Sequence, residues 1–239
     1  MSASSIEHTL WITQKINGLL GLRADPPVIP DHFIESTLVF GALTIVALVA
    51  RRKLSLIPNR LQNIIETGLE AINNLLISVI GPKGPRYFPL IASMGLFILC
   101  GNLIGLLPFC KSPTSNLNVT LSCAIIVFIY YHFQGIKEHG FGAYMKHFAG
   151  PKPFLAPLMF PLELISHFAR VMSLSIRLFG NIMGEDIIII ILFILVPYIV
   201  PIPMMMFAIF TSVLQSFIFI MLSMMYIAGA VAEEGHDSH

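Results

Sequence analysis

The chain has 239 residues, 56% of them hydrophobic and 11% charged, with a formal net charge of +1. Soluble domains carry charge on roughly a quarter of their residues, so this composition, with a mean hydropathy of +0.82, predicts an integral membrane protein. The near-zero net charge excludes the basic footprint of a nucleic-acid binder. The start, MSASSIEHTLWITQK, has no basic stretch followed by an apolar one, so no cleaved signal peptide is expected.

A bilayer crossing needs about 20 apolar residues. Residues 1–32 read as an N-terminal outer segment. Ser36–Ala50 is uncharged but only 15 residues long; with Glu35 and Arg51 snorkelling at its ends, a first span covers 33–51. Beyond it, Ile64, Ile65, Leu69, Ile72, Leu75, Leu76 and Val79 recur at helical spacing, with Glu66, Glu70, Asn73 and Asn74 between them. This predicts an amphipathic helix over 55–80, either lying in the membrane interface or packed on another subunit. Phe88–Cys110 and Ser112–Ile136 are uncharged over 23 and 25 residues and give second and third spans within 88–135. A loop over 136–156 follows. Ile187–Ala232 is uncharged for 46 residues, too long for one crossing, and Pro197, Pro201 and Pro203 divide it. The result is a long helical hairpin over 157–232. Its first arm starts near Pro157 and contains Arg177, its second starts near Met204, and 233–239 form a tail. The expected fold is a single all-α integral membrane domain: about five crossing helices, an interfacial amphipathic helix and a long tilted C-terminal hairpin.

Lysine and arginine set the orientation. Arg51, Arg52, Lys53, Arg60, Lys83, Arg86, Lys137, Lys146 and Lys152 fall on one side; Lys15, Arg23 and Lys111 fall on the other. The richer side is expected to be cytoplasmic, together with the C-terminal EEGHDSH. Cys100, Cys110 and Cys123 lack metal-ligand spacing and read as buried thiols, with a Cys110–Cys123 disulfide the alternative. The histidines form no HxxxH or HExxH pattern, and His132, His139 and His147, at or beside the loop, read as solvated.

Arg177 is the costly residue. VMSLSIRLFGNIM, Val171–Met183, has no other charge, and a guanidinium at mid-helix costs about 2.5–3.5 kcal/mol on insertion scales. It cannot escape by losing its proton. Seven residues are nearly two helical turns, so Glu163, Arg170 and Arg177 share a face, joined by Ser166, Ser173 and Asn181. In lipid such a polar face must meet protein or water. Glu185 and Asp186 lie beyond it, off the stripe, and an internal ion pair between Arg177 and one of them is the structural alternative. On the last helix, Gln215, near Thr211 and Ser212, is placed to hydrogen-bond across to the Arg177 helix. Phosphate-loop, dinucleotide, kinase and metalloenzyme motifs are absent, so neither covalent catalysis nor a cofactor is expected. No inverted repeat suggests a secondary transporter, and arginines seven apart do not make a voltage sensor.

SLSIRLFGNIMGED resembles the signature of subunit a of F-type ATP synthases. NLIGLLP at Asn102–Pro108, NVTL at Asn118–Leu121, GIKEHGFGAYMKHF and LQSFIFIMLSMMY agree with that family in order, from about Asp31 onward. The resemblance implies a proton-conducting stator subunit of the F0 sector. It would face the c-ring, join b-type peripheral stalk subunits, serve the F1 catalytic head, and sit in a bacterial inner membrane. It implies that Arg177 faces the ring carboxylates, that Asn181, Asp186 and Gln215 line an outer half-channel, and that Ser173, Arg170 and Glu163 lie toward the cytoplasmic route. Family spacing favours Asp186 over Glu185 as the relay carboxylate. Many members carry a histidine seven residues before the glutamine, where this chain has Ala208. Protons are the expected coupling ion, with sodium the alternative.

Overall fold

A computed structural model describes residues 30–52, 60–107, 111–140, 142, 144, 156–196 and 200–231. Every regular element among them is helical: α1 (Asp31–Arg52), α2 (Arg60–Ile80), a 3-10 turn at Gly84–Tyr87, α3 (Phe88–Ile104), a second 3-10 turn at Pro113–Ser115, α4 (Leu117–His139), α5 (Ala156–Leu195) and α6 (Pro201–Val231). Five stretches are long and apolar enough to cross a bilayer: Asp31–Val49, Gly84–Ile104, Leu117–His139, Pro157–Leu195 and Pro201–Val231. The all-α integral membrane fold expected from the sequence is therefore observed, and the described residues supply five helices able to make the expected crossings.

The interior is built by α3, α4 and α6, with the middle of α5 laid against them. Ile91, Ile98, Val127, Leu178, Phe219 and Met224 fill its centre. Lipid offers helices no hydrophobic drive to associate, so close packing must hold them together. At Gly135 an added Cβ would sit 3.0 Å from the Ala230 carbonyl oxygen, so the α4–α6 crossing depends on a residue with no side chain. Gly84 is tighter, with the Leu76 carbonyl 2.5 Å from the same position.

Helix α5 has 40 residues, about 60 Å at ~1.5 Å per residue, twice a hydrocarbon core of about 30 Å. It must run obliquely or project beyond the core. It is also the least covered span, with 11% of its apolar window buried against 39% for Gly84–Ile104.

Some local readings change. The amphipathic helix begins at Arg60; of its predicted range, 55–59 lies outside the described residues. Its second half packs within this chain, with Leu76 buried and Leu75 and Val79 against the core, while Glu66 and Glu70 stay exposed. Neither predicted setting includes that contact. The third span begins at Leu117 rather than Ser112. Pro113 opens a 3-10 turn, and the Asn116 side chain caps α4 by accepting the Asn118 backbone N–H at 2.9 Å. Helix α6 starts at Pro201 rather than Met204, because proline is tolerated in a first turn. Cys123 is a free, buried thiol, and Cys110, its partner in the alternative disulfide, lies outside the described residues. His147, both tails and most of 136–156 lie outside the described residues.

Candidate functional site

The helical period places Glu163, Arg170, Ser173, Arg177 and Asn181 along one side of α5, and each residue meets a different environment. The stripe runs from the end of the bundle carrying Lys83, Arg86 and Lys137, the basic end, to the end carrying Lys111.

At the centre, Arg177 is half-buried. Its guanidinium donates to Ser173 Oγ at 3.3 Å, one turn back. Among the described residues it forms no ion pair. The two carboxylates that were alternatives for that role face elsewhere: Glu185 faces Thr211 of α6, and Asp186 faces Ser115 with Lys111 in electrostatic range. The internal ion pair considered for Arg177 is therefore not formed.

One turn beyond Arg177, Asn181 Nδ2 donates to Gln215 Oε1 at 2.8 Å. The cross-helix bond expected of Gln215 is present, and its partner is Asn181. Gln215 is 2% exposed, beside buried Ser212 and Ser216. Ala208 is also buried, two turns away on the same helix.

At the Lys111 end, Glu35 does not snorkel. It is 8% exposed, and its Oε1 accepts the Lys111 backbone N–H at 3.1 Å. Asp186 and Asp31 lie within its electrostatic reach, so α1 brings carboxylates to the same end as Asp186. Sequence periodicity gave no sign of this, because the contact joins residues 76 apart.

At the basic end, Arg170 places its guanidinium carbon 5.6 Å from the Tyr226 ring centroid, a cation–π distance. It turns into the α4–α5–α6 junction, beside Tyr131, Leu174 and Tyr226. Glu163 Oε1 lies 3.3 Å from His167 Nε2. His167 was missed by the sequence reading. The available signal was its position four residues after Glu163, a spacing at which helical side chains meet. His132, expected to be solvated, is half-buried, with its ring centroid 4.8 Å from that of His167. The described residues hold no cluster of metal-ligating side chains.

A sequence profile described as ATP synthase A chain matches residues 33–228. The chain belongs to that family. It is similar to the ATP synthase subunit a of Aliarcobacter butzleri, at 46% identity over 93% of this chain and 96% of the relative. The subunit a of Campylobacter jejuni strain 81-176 is 48% identical over 86% and 92% of the two chains. That of Geotalea daltonii is 47% identical over 86% and 89%. Membership fixes the coarse role. This is a multi-pass membrane component of the ATP synthase complex, a proton-translocating stator subunit of F0.

Proposed function

We propose that this chain forms two offset half-channels that load and unload the carboxylates of a c-ring, with Arg177 as the electrostatic barrier between them. The observation that carries this reading is Arg177 itself. It is a permanent charge on the least covered span, and among the described residues no carboxylate pairs with it. A cation this deep needs an anionic partner or water, which leaves its counter-charge to another chain.

The physics follows from a carboxyl group carried past Arg177. In lipid it must be neutral, since burying a bare carboxylate is prohibitive. Beside a guanidinium the ionised form is favoured, by roughly 1–3 pKa units when the charges are about 4–6 Å apart. The proton therefore leaves on one side of Arg177, and a new one binds on the other. Arg177 holds its own protons throughout, so it blocks a direct hop between the two paths instead of carrying the proton. Asp186, with Glu185 beside it, and the Asn181–Gln215 pair serve the path from the Lys111 end. Ser173, Arg170 and Glu163 serve the path to the basic end. The basic end is cytoplasmic in this reading, by the excess of lysine and arginine, in a bacterial inner membrane. The b-type stalk holds the chain against the ring, and the F1 catalytic head uses the rotation. Each charge crossing 100 mV gains about 2.3 kcal/mol, which the offset of the two paths makes directional.

The test is Arg177→Ala in inverted membrane vesicles. The expected result is loss of ATP-driven proton pumping and of proton-driven ATP synthesis, with the complex still assembled. Retained coupled synthesis would sink the assignment.

A further inference from the structure

His167 lies off the proton path proposed above, yet among the ionisable side chains carried by α5 it is the most enclosed. It is 7% exposed. Its two ring nitrogens have different partners on different helices. Nδ1 is 2.8 Å from the Tyr131 hydroxyl of α4, and Nε2 is 3.3 Å from Glu163 Oε1 on its own helix. The Tyr131 and His167 rings are stacked, with centroids 5.7 Å apart and planes at 23°. Tyr131 is itself 1% exposed. A buried phenol, a buried imidazole and a half-exposed carboxylate thus form one chain of polar contacts, running from the bundle interior to the surface stripe.

We propose that His167 is the positioning residue for Glu163. Tyr131 fixes its tautomer, so that Nε2–H donates to the Glu163 carboxylate. The geometry favours this assignment. A neutral imidazole has one donor and one acceptor, and the hydrogen bond at one nitrogen decides which proton the other carries. With the Tyr131 hydroxyl donating to Nδ1, the ring proton must sit on Nε2, facing Glu163. A donor to an ionised carboxylate stabilises it, and the contact also fixes which way the Glu163 carboxylate is turned. The other ionisable groups around His167 are Arg170 on α5, His132 on α4, Tyr144 beyond the end of α4, and Tyr226 of α6 behind Tyr131. Arg170 is the permanent cation in this set.

This inference rests on Glu163 lining the route to the basic end, and the experiment separates the two ideas. Passive proton conductance of reconstituted complex is measured as a function of pH on the basic side alone. His167→Leu is expected to move the midpoint up by about half a pH unit, roughly a threefold change in the carboxylate's proton affinity. Tyr131→Phe should shift it less, in the same direction. His167→Gln, which keeps a donor, should restore most of the original profile. Glu163→Gln is the control for the route and should lower conductance at every pH. If Glu163→Gln lowers conductance but His167→Leu and Tyr131→Phe in assembled complex leave the midpoint in place, the positioning role is wrong and the route stands. If Glu163→Gln leaves conductance unchanged, the route fails and the positioning role falls with it.

Discussion

Two polar groupings lie inside this apolar chain, and they are built in opposite ways. One is a closed knot at the Lys111 end. Ser112 Oγ donates to the Gly101 carbonyl at 3.0 Å and lies 2.7 Å from Thr114 Oγ1. Thr114 Oγ1 donates to Asn102 Oδ1 at 2.5 Å. Nearby, Thr120 of α4 meets Ser175 of α5 at 3.1 Å. All five side chains are at most 3% exposed. The other grouping is the open stripe on α5, where Arg177 is half-buried and, among the described residues, has a 3.3 Å hydrogen bond to Ser173. In the knot, neutral groups bond mainly to one another, Asn102 Nδ2 excepted, and fix how the turn before α4 meets α3 and α5. In the stripe, a charge has no ion pair among the described residues. Neutral hydrogen bonds between helices contribute modestly and locally, whereas an intramembrane cation with no internal counter-charge marks a site of work.

The comparison breaks most visibly at Arg177. Arg177→Lys keeps the charge but loses the planar fork, and a buried ammonium shifts its pKa readily. The expected outcome is loss of ATP-driven pumping as complete as for alanine, with subunit abundance unchanged on an immunoblot. Full pumping by the lysine variant would mean that charge alone suffices.

Thr114→Val is expected to do the reverse. It removes the donor to buried Asn102, whose Nδ2 already has no partner among the described residues, at a cost of about 1–3 kcal/mol. The melting temperature of the purified complex should fall, while proton pumping per assembled complex stays at the parental level. A pumping defect without a stability defect would place the knot in the proton path.

Gln215→Leu sits between these two. It leaves Asn181 Nδ2 without its acceptor and makes the proposed Lys111-end path less polar. Passive conductance should slow by up to about tenfold, the scale of one lost hydrogen bond, with assembly intact. Asp186→Ala should act at the same end with a similar partial loss. Unchanged conductance in both variants would move the path elsewhere.

The smallest effect is expected at the exposed pair between Lys83 Nζ and Glu138 Oε1, at 2.6 Å, with Arg86 3.7 Å from the other oxygen. Exposed pairs of this kind contribute little and are screened by salt. Glu138→Gln should leave both melting temperature and pumping unchanged at moderate ionic strength.

The local pattern of residues determined a good deal. Runs of uncharged residues give the five crossings, and three prolines within 197–203 mark the hairpin bend. A seven-residue spacing puts Glu163, Arg170 and Arg177 on one face, because helical periodicity is a property of the backbone and needs no knowledge of neighbours. RLFGN and its companion stretches indicate the family. Tertiary structure alone decided what each polar group meets. Asn181 reaches Gln215 across 34 residues of sequence, and Tyr131 reaches His167 across 36. Glu35 is drawn inward to the Lys111 backbone, and Glu185 and Asp186 turn to Thr211 and Ser115 instead of Arg177. Such contacts depend on how helices cross and on which rotamers the packing leaves open, and no spacing rule along one helix contains that information. Arg177 shows the division most clearly: its cost could be read from thirteen residues of sequence, and the absence of an ion pair to it among the described residues only from the packed bundle.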